Sequence, residues 1–135
     1  MDGVTLTPLK QIHNPKGDIF HAMKKSDIGY NGFGEAYFTT VNKDDIKGWK
    51  KHTQMRLNLV VIIGEIEFVV YNEENKEFFS VKLSQNNYQR LSINPNLWMA
   101  FRGKDEYNML LNIADIEHNP NEAKNKELKE IDYEW

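Results

Sequence analysis

The stretch Lys47–Tyr71, KGWKKHTQMRLNLVVIIGEIEFVVY, decides the fold class. A basic, polar approach enters a nearly continuous β-branched run, Leu57–Ile63, and a second apolar run, Ile66–Tyr71, follows Gly64-Glu65. Each run has the length of a strand, and β-branched and aromatic residues pack well on a pleated surface, so strand is favoured over helix. Two intervening residues, one of them glycine, predict a hairpin. Just before it, Lys50, His52, Gln54, Arg56 and Asn58 share one parity. Side chains of an extended segment alternate, so this row of cations and amides is expected on one face.

Working outward, the chain offers further short strands. Val4–Ile12 reads as an opening strand whose Pro8 suits an edge, and Asn14–Asp18 (NPKGD) as a turn. Ile19–Lys25 fits either a strand or a helical turn. Glu35–Val41, Phe78–Leu83, Tyr88–Ile93, Leu97–Phe101 and Asn108–Ile113 complete the set, with Asn72–Asn75 as a hairpin loop. About eight or nine strands with little helix between them predict a sandwich or barrel. The tail Asn121–Glu130 (NEAKNKELKE) is the one helix candidate, with Pro120 at its entrance and Glu122 four residues before Lys126.

Composition bounds the function. At 135 residues the chain is expected to form one domain with a real core. It has no cysteine, which excludes disulfides and thiolate metal sites and fits a reducing cytoplasm. No apolar run approaches the roughly 20 residues that span a bilayer, and the N-terminus lacks a basic leader and apolar core, so neither membrane insertion nor export is expected. A formal net charge of -3 argues against a nucleic-acid surface but leaves room for a local basic pocket. No P-loop or nucleophile elbow is present.

Three segments carry a resemblance: Ile46-Lys47-Gly48-Trp49, Val61–Ile66 (VIIGEI) and Ser92–Leu97 (SINPNL). In that order, over roughly Glu35 to Pro120, they resemble the dTDP-4-keto-6-deoxyhexose 3,5-epimerases and 3,4-ketoisomerases, which are cupin-type jelly rolls. The resemblance implies an all-β jelly-roll sandwich or barrel over residues 1–135, here with a short C-terminal helix. It also implies a homodimer that binds a nucleotide-linked keto-sugar without a metal or other cofactor. Where the epimerases have a histidine base this chain has Lys50, and His52 falls on the second histidine of the ketoisomerases' His-x-His pair. The family's later histidine falls at about Met99 and its acid tyrosine near Asn112.

The residues leave alternatives open. His52 titrates near neutrality when unperturbed, so it is either a general base or a hydrogen-bonded strand histidine. Lys50 is a base if burial and the neighbouring Lys51 and Arg56 favour its neutral amine, or else a solvated lysine. Arg56 on an apolar strand calls for an anion, either a diphosphate or an internal carboxylate such as Glu65 or Glu67. Asn58 and Asn112 interrupt apolar strands and either hold a sugar oxygen or satisfy backbone groups. Lys47 is a second cation for the diphosphate or an enolate. Tyr71, Tyr88, Tyr107, Trp49 and Trp98 are either core aromatics or stacking partners for a nucleobase. His118 is expected in a turn, and His13 and His21 have no visible partner. Lysine in place of the first cupin histidine, followed by an arginine, opposes a divalent metal. The leading expectation is an enzyme of deoxysugar biosynthesis that epimerises C3 or C5, or shifts the keto group, by proton transfer. The alternative is a non-catalytic cupin that binds a sugar nucleotide or a partner protein.

Overall fold

The computed structural model describes every residue, Met1–Trp135. Strands β1 (Val4–Pro8), β2 (Gln11–Ile12), β3 (Ile19–Phe20), β4 (Glu35–Thr40), β5 (Ile46–His52) and β6 (Leu57–Ile63) are followed by β7 (Glu65–Asn72), β8 (Glu77–Ser84), β9 (Gln89–Ile93), β10 (Trp98–Gly103), β11 (Met109–Ala114) and β12 (Ala123–Asn125). Five form one sheet in the order β1-β9-β6-β11-β4, and five form a second in the order β12-β5-β10-β7-β8. β2 and β3 make a small separate arm around the Asn14–Asp18 turn, so the expected opening strand is two strands rather than one. The sheets face each other as a jelly-roll sandwich that stays open along one side. No helix is long and apolar enough to cross a membrane.

Period-two alternation builds the core. Leu57, Leu59 and Val61 of β6 meet Ile66, Phe68 and Val70 of β7 in one cluster between the sheets. Each fully buried side chain of this size contributes about 1.5–3 kcal/mol of transfer free energy. Val69, of opposite parity, joins Trp49, Trp98, Ala100 and Ile131 in a second cluster on the outer face of the second sheet.

The hairpin expected at Gly64-Glu65 is not formed. β6 pairs with β9 and β11, whereas β7 pairs with β8 and β10, so Gly64 marks a corner at which the chain changes sheets. Each of the two strands thereby gains two partners within its own sheet. Gly64 has φ +77, and a Cβ there would lie 2.2 Å from the Tyr107 carbonyl oxygen. Asn108 locks the corner: its Oδ1 accepts from the Glu65 N–H at 3.1 Å and its Nδ2 donates to the Val41 carbonyl at 3.0 Å.

The tail helix is also absent. Ala123–Asn125 adds to the free edge of β5, a 3-10 turn spans Leu128–Glu130, and Ile131 is buried under Trp49. An isolated helix of this length is marginal in water, and an open sheet edge offers its backbone better-placed partners. The Glu122–Lys126 pair is lost with it. Lys126 lies instead over the Trp98 ring and 3.5 Å from Glu73.

Candidate active site

A cavity of about 310 Å³ opens between the two sheets on the side where β4 and β5 lie. Leu57, Leu59, Met99, Phe101 and Leu110 make its apolar wall. Its polar groups come from two facing strands: Lys47, Lys50 and His52 from β5, and Tyr37 and Thr39 from β4, with Asn112 of β11 beside them. No acidic side chain lines it, so the two ammonium groups bias the cavity toward an anionic ligand.

Lys47 and Lys50 share this wall because β5 is bulged. Met99 pairs with Lys50 and Phe101 with Lys47, so three steps along β5 oppose two along β10. The extra residue lies within Gly48-Trp49, and it sends the Trp49 indole to the opposite face, where it is 1% exposed.

His52 is held by Glu122, the residue assigned to the tail helix. The Glu122 carboxylate pairs with Nδ1 of His52, and its Oε2 accepts from the N–H groups of Thr53 (3.0 Å), Gln54 (3.0 Å) and Met55 (3.3 Å). Three successive N–H groups on one oxygen form an anion nest at the β5–β6 corner. Burial pushes the Glu122 carboxyl up, but the bonds from His52 and from the backbone of Gln54 and Met55 outweigh it and hold the group below the ordinary carboxylate range. A carboxylate only accepts, so Nδ1 carries a hydrogen and Nε2 is the nitrogen left to face the cavity.

Four of the six expected site residues therefore meet: Lys47, Lys50, His52 and Asn112. Arg56 and Asn58 do not line the cavity. The row that Lys50 begins is broken at His52, where the chain bends through Thr53-Gln54 and passes to the other sheet. Arg56 donates from Nη1 to Asn94 Oδ1 at 2.6 Å, and its backbone N–H binds Asp115 at 2.8 Å; it meets neither Glu65 nor Glu67. Asn58, 2% exposed, points to the outer face of its sheet, where its Oδ1 accepts from Ser92 Oγ at 2.7 Å. Lys50 is exposed rather than buried. Lys51 lies over the Trp98 ring on the other face, and Arg56 is elsewhere, so the surroundings required of a lysine base are missing.

None of the five aromatics weighed as nucleobase partners lines the cavity. Trp49 and Trp98 are core, Tyr71 stacks on Phe78 at 4.5 Å, Tyr88 donates to the His21 carbonyl, and Tyr107 is on an exposed loop. No group of three or more His, Cys, Asp or Glu that could hold a metal is present. The two residues that sequence reasoning missed are Tyr37 and Glu122. Tyr37 and Thr39 share the inward parity of an exposed-looking strand, which was a usable signal. Glu122 lies seventy residues from His52, and nothing local marks it.

The family model described as FdtA: WxcM-like, C-terminal, matches residues 2–130. Among solved structures, a dTDP sugar isomerase from Desulfovibrio desulfuricans G20 is 28% identical, with a TM-score of 0.94 over 99% of this chain and 91% of its own. The sugar 3,4-ketoisomerase QdtA from Thermoanaerobacterium thermosaccharolyticum, in complex with TDP, is 21% identical, with a TM-score of 0.82 over 97% and 96% of the two chains. The dTDP-6-deoxy-D-glucose-3,5-epimerase RmlC from Legionella pneumophila, at 14% identity, has a TM-score of 0.81 over 93% of this chain and 73% of its own. The latter two share the fold. No curated protein matches the chain in sequence.

Proposed function

The chain belongs to the WxcM-like, C-terminal (FdtA) family, and from that premise we propose that it is a nucleotide-sugar isomerase of deoxysugar biosynthesis. Its substrate in this reading is a dTDP-4-keto-6-deoxyhexose, and the reaction is proton transfer at the carbon next to the ketone. The observation that carries the proposal is the Glu122–His52 pair at the wall of a cavity whose charged residues are both cations.

The chemistry follows from the walls. His52 Nε2 removes the proton from C3, and the electron pair of the broken C–H bond forms a C3=C4 double bond as charge moves to O4. The Tyr37 phenol, on the facing sheet, donates its proton to O4 and gives the enediol. The tyrosinate then takes the proton from the adjacent O3, and His52 returns its proton to C4, leaving a 3-ketone. One base serves two neighbouring carbons and one phenol two neighbouring oxygens, so 3,4-keto isomerisation needs no further group. Epimerisation at C3 or C5 would instead require Tyr37, on the facing sheet, to return a proton to carbon from the side opposite His52. Lys47 and Lys50 hold the diphosphate. Lys50 is thus assigned to charge rather than to the proton.

A homodimer belongs to the same reading. β4 is an edge strand with one unpaired side, and its Phe38 is 65% exposed; a second copy would cover both. A cytoplasmic location, where nucleotide sugars are made, completes it.

The test has two steps. A thermal-shift screen with dTDP, UDP, GDP and CDP should raise the midpoint selectively with dTDP, since a ligand that binds only the folded state adds about 2.7 kcal/mol at a hundred times its Kd. Turnover of dTDP-4-keto-6-deoxyglucose in deuterium oxide should then yield the 3-keto isomer with label at C4. Label at C5 or an inverted C3 would make the enzyme an epimerase, and binding without turnover or exchange would make it a non-catalytic cupin.

A further inference from the structure

Asn112 lies in the cavity wall 1% exposed, with each end of its amide engaged. Its Oδ1 accepts from the backbone N–H of Asn58 at 3.1 Å, and its Nδ2 donates to the Tyr37 hydroxyl at 3.1 Å. The orientation of this amide is not free. A backbone N–H can only donate, so the atom facing it must be the oxygen, and the NH₂ is thereby turned toward the phenol. Asn58 is itself fixed as a β6 residue by strand pairing and by Ser92 and Ile113 on the outer face.

The consequence falls on Tyr37. Its oxygen faces a group that only donates, so the phenol accepts there and its own hydrogen has to point elsewhere. With the ring on the cavity wall, that direction is the cavity. We infer that Asn112 is a positioning residue: anchored by the Asn58 N–H, it turns the Tyr37 hydroxyl into a one-way donor toward the substrate oxygens. Its role is therefore on a backbone N–H and the enzyme's own phenol rather than on the sugar. The same amide N–H also stabilises the tyrosinate that forms when the proton has been given up. The inference rests on the reading of Tyr37 as the acid, and it deepens that reading by naming what sets the direction of its proton.

The decisive substitution is Asn112→Asp, which is nearly isosteric. One carboxylate oxygen keeps the Asn58 N–H, while the other replaces the NH₂ and becomes an acceptor, so it captures the Tyr37 hydrogen. The expected result is a loss of kcat of at least tenfold with KM within about twofold of wild type. The double variant Asn112→Asp/Tyr37→Phe should be no slower than Tyr37→Phe alone, because Asn112 acts only through the phenol. A measurement independent of turnover is the side-chain amide of Asn112 by NMR in wild type and Tyr37→Phe. Its signals should move, and its hydrogens exchange faster, when the phenol oxygen is removed. Wild-type kcat in Asn112→Asp beside an impaired Tyr37→Phe would overturn the inference and leave the isomerase reading standing, as would independent, multiplying losses in the double variant. An Asn112 amide that ignores Tyr37→Phe would overturn it even if no Asn112 variant folds. Full activity of Tyr37→Phe would remove the acid and the inference together.

Discussion

Replacing Glu122 with glutamine tests whether the β5–β6 corner serves both the fold and the base. The wild-type carboxylate is 3% exposed and accepts from His52 and from three backbone N–H groups. A glutamine oxygen can keep the three N–H groups, but as a neutral acceptor it binds each less strongly. Charge-assisted bonds contribute about 1.5–3 kcal/mol against about 1 for neutral ones, and removing a buried charge returns part of that difference. A net destabilisation of about 2 kcal/mol is expected, or roughly 8 °C in Tm for a chain of this size. The effect on chemistry is larger. The glutamine NH₂ would face Nδ1 of His52 and force it to accept, which places the hydrogen on Nε2 and leaves no lone pair toward the cavity. A base held in the wrong tautomer is expected to lose about 10²–10⁴ in kcat.

The acid limb of stability gives an independent check. The folded-state pKa of Glu122 is depressed, so the stability it contributes is fully present above the ordinary glutamate value near 4.5 and is lost as pH falls through the folded value. Urea midpoints measured between pH 7 and pH 3 should fall at the acid end in wild type and fall less in Glu122→Gln. Assays at neutral pH with dTDP-4-keto-6-deoxyglucose should show the kcat loss at nearly unchanged KM. If Glu122→Gln kept kcat within threefold of wild type while remaining folded, the argument that Glu122 sets the His52 tautomer would be wrong.

Three further outcomes are expected. Gly64→Ala should destabilise by about 3 kcal/mol or more in chemical denaturation, because φ is +77 and the new Cβ would meet the Tyr107 carbonyl and Asn108; a change below 1 kcal/mol would contradict the corner geometry. Arg90→Met should cost about 3–5 kcal/mol. That guanidinium is fully buried on the outer face and donates to the carbonyls of Ala22 and Ile28 at 2.8 Å, so proteolysis between Lys24 and Gly34 should accelerate in the variant. Lys47→Ala and Lys50→Ala should each raise KM about tenfold, or about 1.4 kcal/mol, with little change in kcat. If the loss were in kcat alone, the lysines would act on the enolate rather than on the diphosphate.

Much of this protein was legible in the chain alone. Alternating and β-branched runs specify strands because burial on a pleated surface depends on local side-chain identity, and nearly every strand from Glu35 to Ala114 was found that way. The resemblance to the keto-sugar isomerases rested on the same segments, and it held. Lys50 and His52 were placed together by parity, which is a local rule and survives as far as the strand does. Three things were decided only in three dimensions. Gly64-Glu65 is equally good turn chemistry for a hairpin or for a sheet-changing corner, and the choice depends on which strands compete for each edge. The bulge that brings Lys47 beside Lys50 exists only relative to β10. The tail was written in helix-forming residues, yet the open edge of β5 and the buried carboxylate of Glu122 made a strand the lower free energy. Propensity is a sum of small local preferences, whereas a sheet edge and a nest of N–H groups are properties of the assembled fold. That is why the row of Lys50 and His52 was visible in the sequence, whereas Glu122, which binds that histidine from seventy residues away, was not.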